Sequence, residues 1–125
     1  MEKNIIAMGK HLIADCKGLS WELCNDDKKV LNLLAQSAEE AGATVLNTIR
    51  YHLGHNSPPG FACVVMLDES HCSAHSYAEL GLMAIDIFTC GKTDPRLVFE
   101  IFRKKCPEIN LGEIDIKIID RFLTY

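Results

Sequence analysis

Apolar residues in this chain come in short runs that turn residues separate. Residues 61–67 and 85–88 form two such runs, and Ile114, Ile116 and Ile118 alternate with charged residues near the C-terminus. Alternation is typical of a half-buried strand, and no run approaches the roughly 18 apolar residues that a membrane span needs. The pattern therefore predicts a soluble, strand-rich chain that does not enter a membrane.

Two segments carry helical signals instead. Residues 27–41 have apolar residues at helical spacing, preceded by possible N-caps at Asn25 and Asp26. Asp94-Pro95 favours the start of a second helix, because proline at the first helical position loses no intrahelical hydrogen bond. Strands dominate and two helices interrupt them, which predicts an α+β fold with an antiparallel sheet and helices on one face.

Length and charge limit the classes of function. The 125 residues, 48% of them hydrophobic, suffice for one domain with a core, covering residues 1–125. The net charge is −4 and the basic residues are scattered, so we expect a small-molecule substrate and no nucleic acid. The first residues lack a secretion signal, so we expect a cytoplasmic protein whose six cysteines are free thiols.

Acids, bases and nucleophiles are concentrated between residues 68 and 91, bordered by apolar strands. A reactive pocket needs such groups, yet serine is common in turns and a lone cysteine in an apolar run usually belongs to the core. Composition alone leaves an enzyme and a structural segment equally open. The residues concerned are Asp68, Glu69, Ser70, His71, Cys72, His75, Glu79 and Cys90.

Two further interpretations compete. His71, Cys72, His75 and Cys90 are possible zinc ligands. However, adjacent residues on a strand point to opposite faces, and no paired Cys-x-x-Cys motif is present. A cysteine protease would need a Cys–His pair, but no nucleophile-loop signature accompanies these residues. We therefore expect no metal.

The same segment resembles a known family. Residues 69–75, Glu-Ser-His-Cys-Ser-Ala-His, followed by Glu79 and by residues 85–91, Ile-Asp-Ile-Phe-Thr-Cys-Gly, resemble the core signature of the small prokaryotic S-adenosylmethionine decarboxylases. Residues 9–14 resemble the family's opening strand, and residues 41–44 its passage from helix to strand. The resemblance covers most of the chain and implies the family's two-layer α/β sandwich.

The resemblance also implies a mechanism of maturation. In this family a serine hydroxyl attacks the carbonyl of the preceding glutamate, the chain splits, and the serine becomes a pyruvoyl group. Cleavage between Glu69 and Ser70 would give a β chain of residues 1–69 and an α chain of residues 70–125. The pyruvoyl group derived from Ser70 would be the cofactor: it forms a Schiff base with the substrate amine and accepts the electrons released with carbon dioxide.

Further roles follow from the resemblance. His75 matches the residue that assists proton transfer during self-processing, and Cys90 matches the residue that reprotonates the substrate carbon. Glu79 matches an acidic pocket residue, and His71 is a weaker match to a residue that positions the cleavage site. The small members of the family pair into (αβ)2 dimers, so a homodimer is expected.

The chain departs from the family where adenine is bound. Tyr77 replaces the tryptophan of the adenine clamp, and residues 54–57 lack the phenylalanine expected on its other face. Asp68 stands where a neutral small residue is common, and a carboxylate there could hold a guanidinium or ammonium group. We therefore expect arginine or ornithine as the substrate, giving agmatine or putrescine for polyamine synthesis. The alternative is S-adenosylmethionine, decarboxylated for spermidine synthesis.

A second departure concerns maturation itself. Ala62 stands where the family commonly has a serine that supports processing. Cleavage would then be slower or use other donors, and a non-catalytic regulatory homologue that never matures becomes a further alternative. Ser70, His75 and Cys90 argue against that alternative, because a chain without catalysis has no chemical need for all of them.

Overall fold

The chain forms six strands and three α-helices in the part that the structure describes. The computed structural model describes residues 7–123; the rest, including most of the segment used above to judge secretion, lies outside the described residues. In chain order the elements are β1 (Ala7–Lys17), α1 (Trp21–Cys24), α2 (Asp27–Glu40), β2 (Val45–Leu53), β3 (Gly60–Leu67), β4 (Ser70–Tyr77), β5 (Leu82–Cys90), α3 (Pro95–Lys105), a 3-10 helix (Pro107–Asn110) and β6 (Glu113–Leu123).

The strands form one antiparallel sheet in the order β2-β3-β4-β5-β1-β6. Consecutive strands from β2 to β5 are neighbours, whereas β1 is inserted between β5 and the C-terminal strand β6. The N-terminal strand therefore lies directly beside the strand that carries Cys90.

Helices α2 and α3 cover one face of the sheet and create the core. Leu34 of α2, Phe99 and Phe102 of α3, and Ile85 and Ile87 of β5 are at most 1% exposed. Each such side chain contributes about 1.5–3 kcal/mol when it leaves water. The two-layer α/β sandwich with an antiparallel sheet and helices on one face is confirmed. No described helix is long and apolar enough to cross a bilayer.

The two predicted helices begin at their predicted caps. Asp26 accepts a hydrogen bond from the Lys29 amide at the start of α2, and Asp94 accepts one from the Arg96 amide at the start of α3. These bonds satisfy amides that have no partner inside the helix. The local signals were therefore sufficient to locate both helices.

Strand β4 runs from Ser70 to Tyr77 although most of its residues are polar. Ser76 is buried within it. Its Oγ accepts a hydrogen bond from the Phe61 amide at 2.9 Å and donates one to the Cys24 carbonyl at 2.6 Å. These contacts offset the cost of burying the hydroxyl, and they depend on tertiary structure.

The opposite side of the sheet carries no helix, and we call it the helix-free face. The strand registers place alternate residues of all six strands on it. Several are apolar and exposed, including Ile49 (68%), Tyr51 (60%) and Met66 (55%). Its other members include Ala62, Val64, His71, Ser73, His75, Tyr77, Asp86, Phe88, Cys90, His11, Asp15, Ile119 and Arg121.

Candidate active site

The expected cleavage site lies in the tight turn between β3 and β4. Leu67 and Ser70 are paired, and only Asp68 and Glu69 lie between them. Glu69 has a φ of 62°, at the turn position where type II turns place glycine. A left-handed conformation costs a residue with a side chain about 1–2 kcal/mol. The peptide bond after Glu69 therefore belongs to an exposed and strained turn.

Ser70 and Cys90 are brought together where β4 begins and β5 ends. The Cys90 amide donates a hydrogen bond to Ser70 Oγ at 3.0 Å. The ladder between the strands starts at the pair His71–Phe88, so this bond lies just beyond the regular sheet. The serine oxygen thus has a fixed position beside the backbone of the cysteine.

Cys90 differs from the other five thiols, which are all buried. Burial raises the pKa of Cys16 and Cys72 to about 12 and that of Cys63 to about 11. It also raises the pKa values of Cys24 and Cys106. All six are free, and Cys90 is the one that is half-exposed. It is therefore the thiol available to a substrate.

His75 and Tyr77 lie towards the other end of β4. Their rings stack with centroids 4.7 Å apart at an angle of 24°. His75 is five positions from Ser70 on an extended strand, which corresponds to about 16 Å at 3.3 Å per residue. Glu79 follows in the exposed turn between β4 and β5. One copy of the chain therefore does not bring His75, Tyr77 or Glu79 to Ser70.

Ala62 lies directly opposite His75 in the β3–β4 register. The serine that the family commonly has at this position would face that histidine on the helix-free face. Asp68, by contrast, is exposed in the turn, where its amide donates to the Thr44 carbonyl at 2.9 Å. Its carboxylate lies within two residues of Ser70 and is open to solvent.

His71 and Cys72 point to opposite sides of β4, as expected for adjacent strand residues. His71 is exposed and packs on Phe88 with ring centroids 5.5 Å apart, whereas Cys72 is fully buried in the core. Among residues 7–123, no group of three or more His, Cys, Asp or Glu is arranged to hold a metal. A zinc site shared by His71 and Cys72 has no support in this geometry.

One group of residues on the helix-free face was not predicted. His11 Nε2 lies 3.0 Å from Asp86 Oδ1, next to a cavity of about 310 Å³. The Arg121 guanidinium lies 5.7 Å from the centroid of the Phe88 ring beside this cavity. His11 and Asp86 are 75 positions apart in the chain, so only the strand order reveals their pairing.

The pyruvoyl group that the resemblance implies is a converted serine, so its fit depends on the residue that would be converted. Ser70 retains its hydroxyl, follows a strained residue, and has its oxygen beside the Cys90 amide. The residue that supplies this amide, Cys90, also carries a half-exposed thiol. These residues fit the group.

Comparisons with known proteins identify the family of the chain. The family model for S-adenosylmethionine decarboxylase matches residues 10–121. An S-adenosylmethionine decarboxylase proenzyme from Moorella thermoacetica is 36% identical over 119 residues, which are 91% of each chain. A proenzyme of the same name from Carboxydothermus hydrogenoformans is 42% identical over 90 residues, 71% of this chain and 68% of that one.

A solved structure has the same fold. The crystal structure of the adenosylmethionine decarboxylase from Aquifex aeolicus superposes with a TM-score of 0.75 at 25% identity, covering 95% of this chain and 94% of that one. Family match, relatives and structure agree over nearly the whole chain. The chain therefore belongs to the S-adenosylmethionine decarboxylase family and is the proenzyme of a pyruvoyl-dependent decarboxylase.

Proposed function

We propose that this chain cleaves itself between Glu69 and Ser70, converts Ser70 to the pyruvoyl group, and then decarboxylates a cationic amino acid in the cytoplasm. The products of cleavage would be residues 1–69 and 70–125. The observation that carries the proposal is the junction of Ser70 with Cys90, whose amide donates to the serine Oγ at 3.0 Å beside the strained Glu69.

The residues around this junction have separable tasks. When formed, the pyruvoyl group supplies a site that accepts the electron pair released as carbon dioxide leaves the substrate. The half-exposed thiol of Cys90 would return a proton to the substrate carbon. Because the amide and the thiol belong to the same residue, Cys90 would serve maturation through its backbone and turnover through its side chain.

His75 would act on the Glu69–Ser70 peptide of a second copy of the chain. Within one copy His75 and Ser70 are about 16 Å apart along β4. Two sheets stacked through their helix-free faces, with strand directions reversed by a twofold axis, would bring the His75 end of one copy over the Glu69–Ser70 peptide of the other. Tyr77 and the nearby Glu79 would accompany His75 into that site.

The helix-free face has the character of such an interface. Ile49, Tyr51 and Met66 are each more than half exposed on it. Exposed contiguous apolar surface of this kind usually marks an interaction site, and a twofold interface uses the same patch on both copies. The proposed assembly is therefore a homodimer with two composite sites.

The proposed substrate is L-arginine or L-ornithine. Tyr77 already has one ring face occupied by His75, and no aromatic residue of residues 54–57 other than His55 is available to clamp a base. The Asp68 carboxylate is exposed within two residues of Ser70, where a cationic side chain could reach it. A guanidinium group pairs well with a carboxylate.

S-adenosylmethionine is the second candidate. The relatives from Moorella thermoacetica and Carboxydothermus hydrogenoformans are both named for that substrate. It also carries a positive charge, so the carboxylate alone does not separate the candidates. Turnover of arginine, ornithine and S-adenosylmethionine by one preparation distinguishes them. Release of carbon dioxide from S-adenosylmethionine alone would contradict the proposal that the substrate is a basic amino acid.

Intact mass under denaturing conditions tests the proposal as a whole. We expect two fragments divided at Glu69/Ser70, with the C-terminal fragment carrying a pyruvoyl mass that shifts on treatment with borohydride. Ser70→Ala should remain a single chain. A wild-type chain that stays uncut and inactive would instead support the non-catalytic homologue.

A further inference from the structure

The hydroxyl of Thr89 is buried without a hydrogen-bond partner. Thr89 is 1% exposed, and its Oγ1 is the buried side-chain oxygen or nitrogen that has no partner among the described residues. Buried hydroxyls are nearly always paired, so an unpaired one requires an explanation. Val would fill the same space without this cost.

Thr89 lies opposite the cleavage site. The ladder between β4 and β5 ends with the pair His71–Phe88, and the next positions outward are Ser70 and Thr89. Both belong by alternation to the side of the sheet that the helices cover. Facing residues in an antiparallel pair have Cβ atoms about 5 Å apart. The unpaired hydroxyl is therefore a close neighbour of Ser70.

The geometry of the peptide bond indicates that the carbonyl of Glu69 also points towards Thr89. Leu67 and Ser70 close the β3–β4 hairpin, so the Ser70 N–H points towards β3. Because the peptide is planar and trans, the carbonyl of Glu69 points the opposite way, towards β5. The groups of β5 at this point are the hydroxyl of Thr89 and the amide of Cys90.

The acyl shift places negative charge on that carbonyl. Ser70 Oγ adds to the carbonyl carbon of Glu69, the carbon–nitrogen bond then breaks, and the hydroxyl proton ends on the freed Ser70 nitrogen. No oxidant, reductant or added reactant is needed for this ester to form. In the tetrahedral intermediate, the carbonyl oxygen of Glu69 carries the charge, and a positioned donor would stabilise it.

We propose that the Thr89 hydroxyl donates a hydrogen bond to the Glu69 oxygen during self-cleavage. This inference rests on the proposed cleavage at Ser70 and adds a residue to it. In the uncut chain the Cys90 amide is occupied by Ser70 Oγ, so Thr89 is the unused donor at this point.

The test compares Thr89→Val with Thr89→Ser in freshly synthesised chains. Wild type, both variants and the control Thr93→Val are made by cell-free synthesis, and the uncut fraction is followed by intact mass over time. We expect Thr89→Val to cleave about 10- to 100-fold more slowly than wild type, because loss of one such donor has effects of that order or larger. Thr89→Ser and Thr93→Val should stay within a few-fold.

Thermal unfolding in a Ser70→Ala background separates this role from a structural one. Thr89→Val removes an unpaired buried hydroxyl, so the uncut precursor should melt at the same or a higher temperature than its parent. Slow cleavage of a chain that is at least as stable supports the inference. Cleavage of Thr89→Val at the wild-type rate overturns it and leaves the proposed function intact, whereas failure of wild type to cleave would overturn both.

The inference remains testable when Thr89→Val itself destabilises the fold. Should Thr89→Val melt well below its parent, the comparison moves to Thr89→Ala against Thr89→Ser, which differ by the hydroxyl group alone. Equal cleavage rates for that pair would overturn the inference.

Discussion

Ser70 and His75 lie on the same strand, yet their side chains belong to opposite faces of the sheet and their positions are five residues apart. A histidine at a distance of about 16 Å cannot transfer a proton to or from that serine. If both act in maturation, they come from different copies of the chain.

Subunit complementation tests this arrangement. Ser70→Ala and His75→Ala chains should each remain uncut when expressed alone. On co-expression, a mixed dimer contains one complete site, formed by Ser70 of the His75→Ala chain and His75 of the Ser70→Ala chain. We therefore expect cleavage of the His75→Ala chain, measured by intact mass.

The matched control is co-expression of His75→Ala with the double variant Ser70→Ala/His75→Ala. That pair forms the same mixed dimer but has no histidine at position 75, so no rescue is expected. Persistence of uncut His75→Ala chain in mixed dimers that do contain His75 would show that the residue acts within its own copy or not at all.

The strain at Glu69 gives a second prediction. Glycine adopts a positive φ without the penalty that a side chain imposes. In a Ser70→Ala background, Glu69→Gly should therefore stabilise the uncut chain by about 1 kcal/mol, seen as a rise of a few degrees in Tm. A matched change at Asp68, which lacks the positive φ, to glycine should not stabilise it.

The same substitution tests whether strain assists cleavage. With Ser70 present, release of the strain in the ground state should slow self-cleavage by up to about tenfold, since 1.4 kcal/mol corresponds to a factor of 10. Faster or unchanged cleavage of a stabilised Glu69→Gly chain would show that the left-handed turn contributes nothing to the reaction.

Sequence patterns were sufficient to predict the sheet and helix layers of the fold. Period-two alternation and caps such as Asp26 and Asp94 act through neighbouring residues, so they can be read locally. The short helix Trp21–Cys24 was missed, because its four residues give no helical period. The burial of Ser76 was missed as well, since its partners Phe61 and Cys24 are distant in the chain.

The sequence likewise predicted some features of the site and not others. The resemblance identified Ser70 and Cys90 by their motifs, and the structure brings them together. The structure does not bring these two residues to His75. Motif spacing could not have shown this, because it gives positions in the chain and not distances in the fold. The unpaired hydroxyl of Thr89 belongs to the same motif as Cys90, but only burial and register distinguish it from an ordinary strand residue.

A substitution of Cys90 should lower the rate of decarboxylation without slowing self-cleavage. Cys90→Ser keeps the backbone amide that bonds Ser70 Oγ, so cleavage should continue near the wild-type rate. Loss of the thiol proton donor should lower kcat by about 10²-fold or more. Release of carbon dioxide and the fragment masses are measured on the same sample. A variant that decarboxylates at the wild-type rate would exclude the thiol as the proton donor.

Thiol labelling should be selective for the same residue. Burial raises the pKa of Cys63 to about 11 and that of Cys72 to about 12, so under about one in a thousand of these thiols is ionised at pH 7.5. Iodoacetamide should add one label per native chain and six after denaturation. Cys90→Ser is the control and should take none while folded.

The Asp27 carboxylate should make the free energy of unfolding depend on pH in the acid range. Burial acts to raise the pKa of this carboxyl, but the hydrogen bond and charge of Arg50, at 2.8 Å, outweigh it and hold the pKa below its usual value of 3.8. A lowered pKa means that the stabilisation is complete above 3.8 and is lost as pH falls through the folded-state value. Asp27→Asn should therefore cost about 1–2 kcal/mol at pH 7 and progressively less towards pH 3. Urea unfolding of both chains in the Ser70→Ala background measures this difference, with the exposed Glu113→Gln as the control, and a difference that stays constant with pH would contradict the role assigned to the Asp27–Arg50 pair.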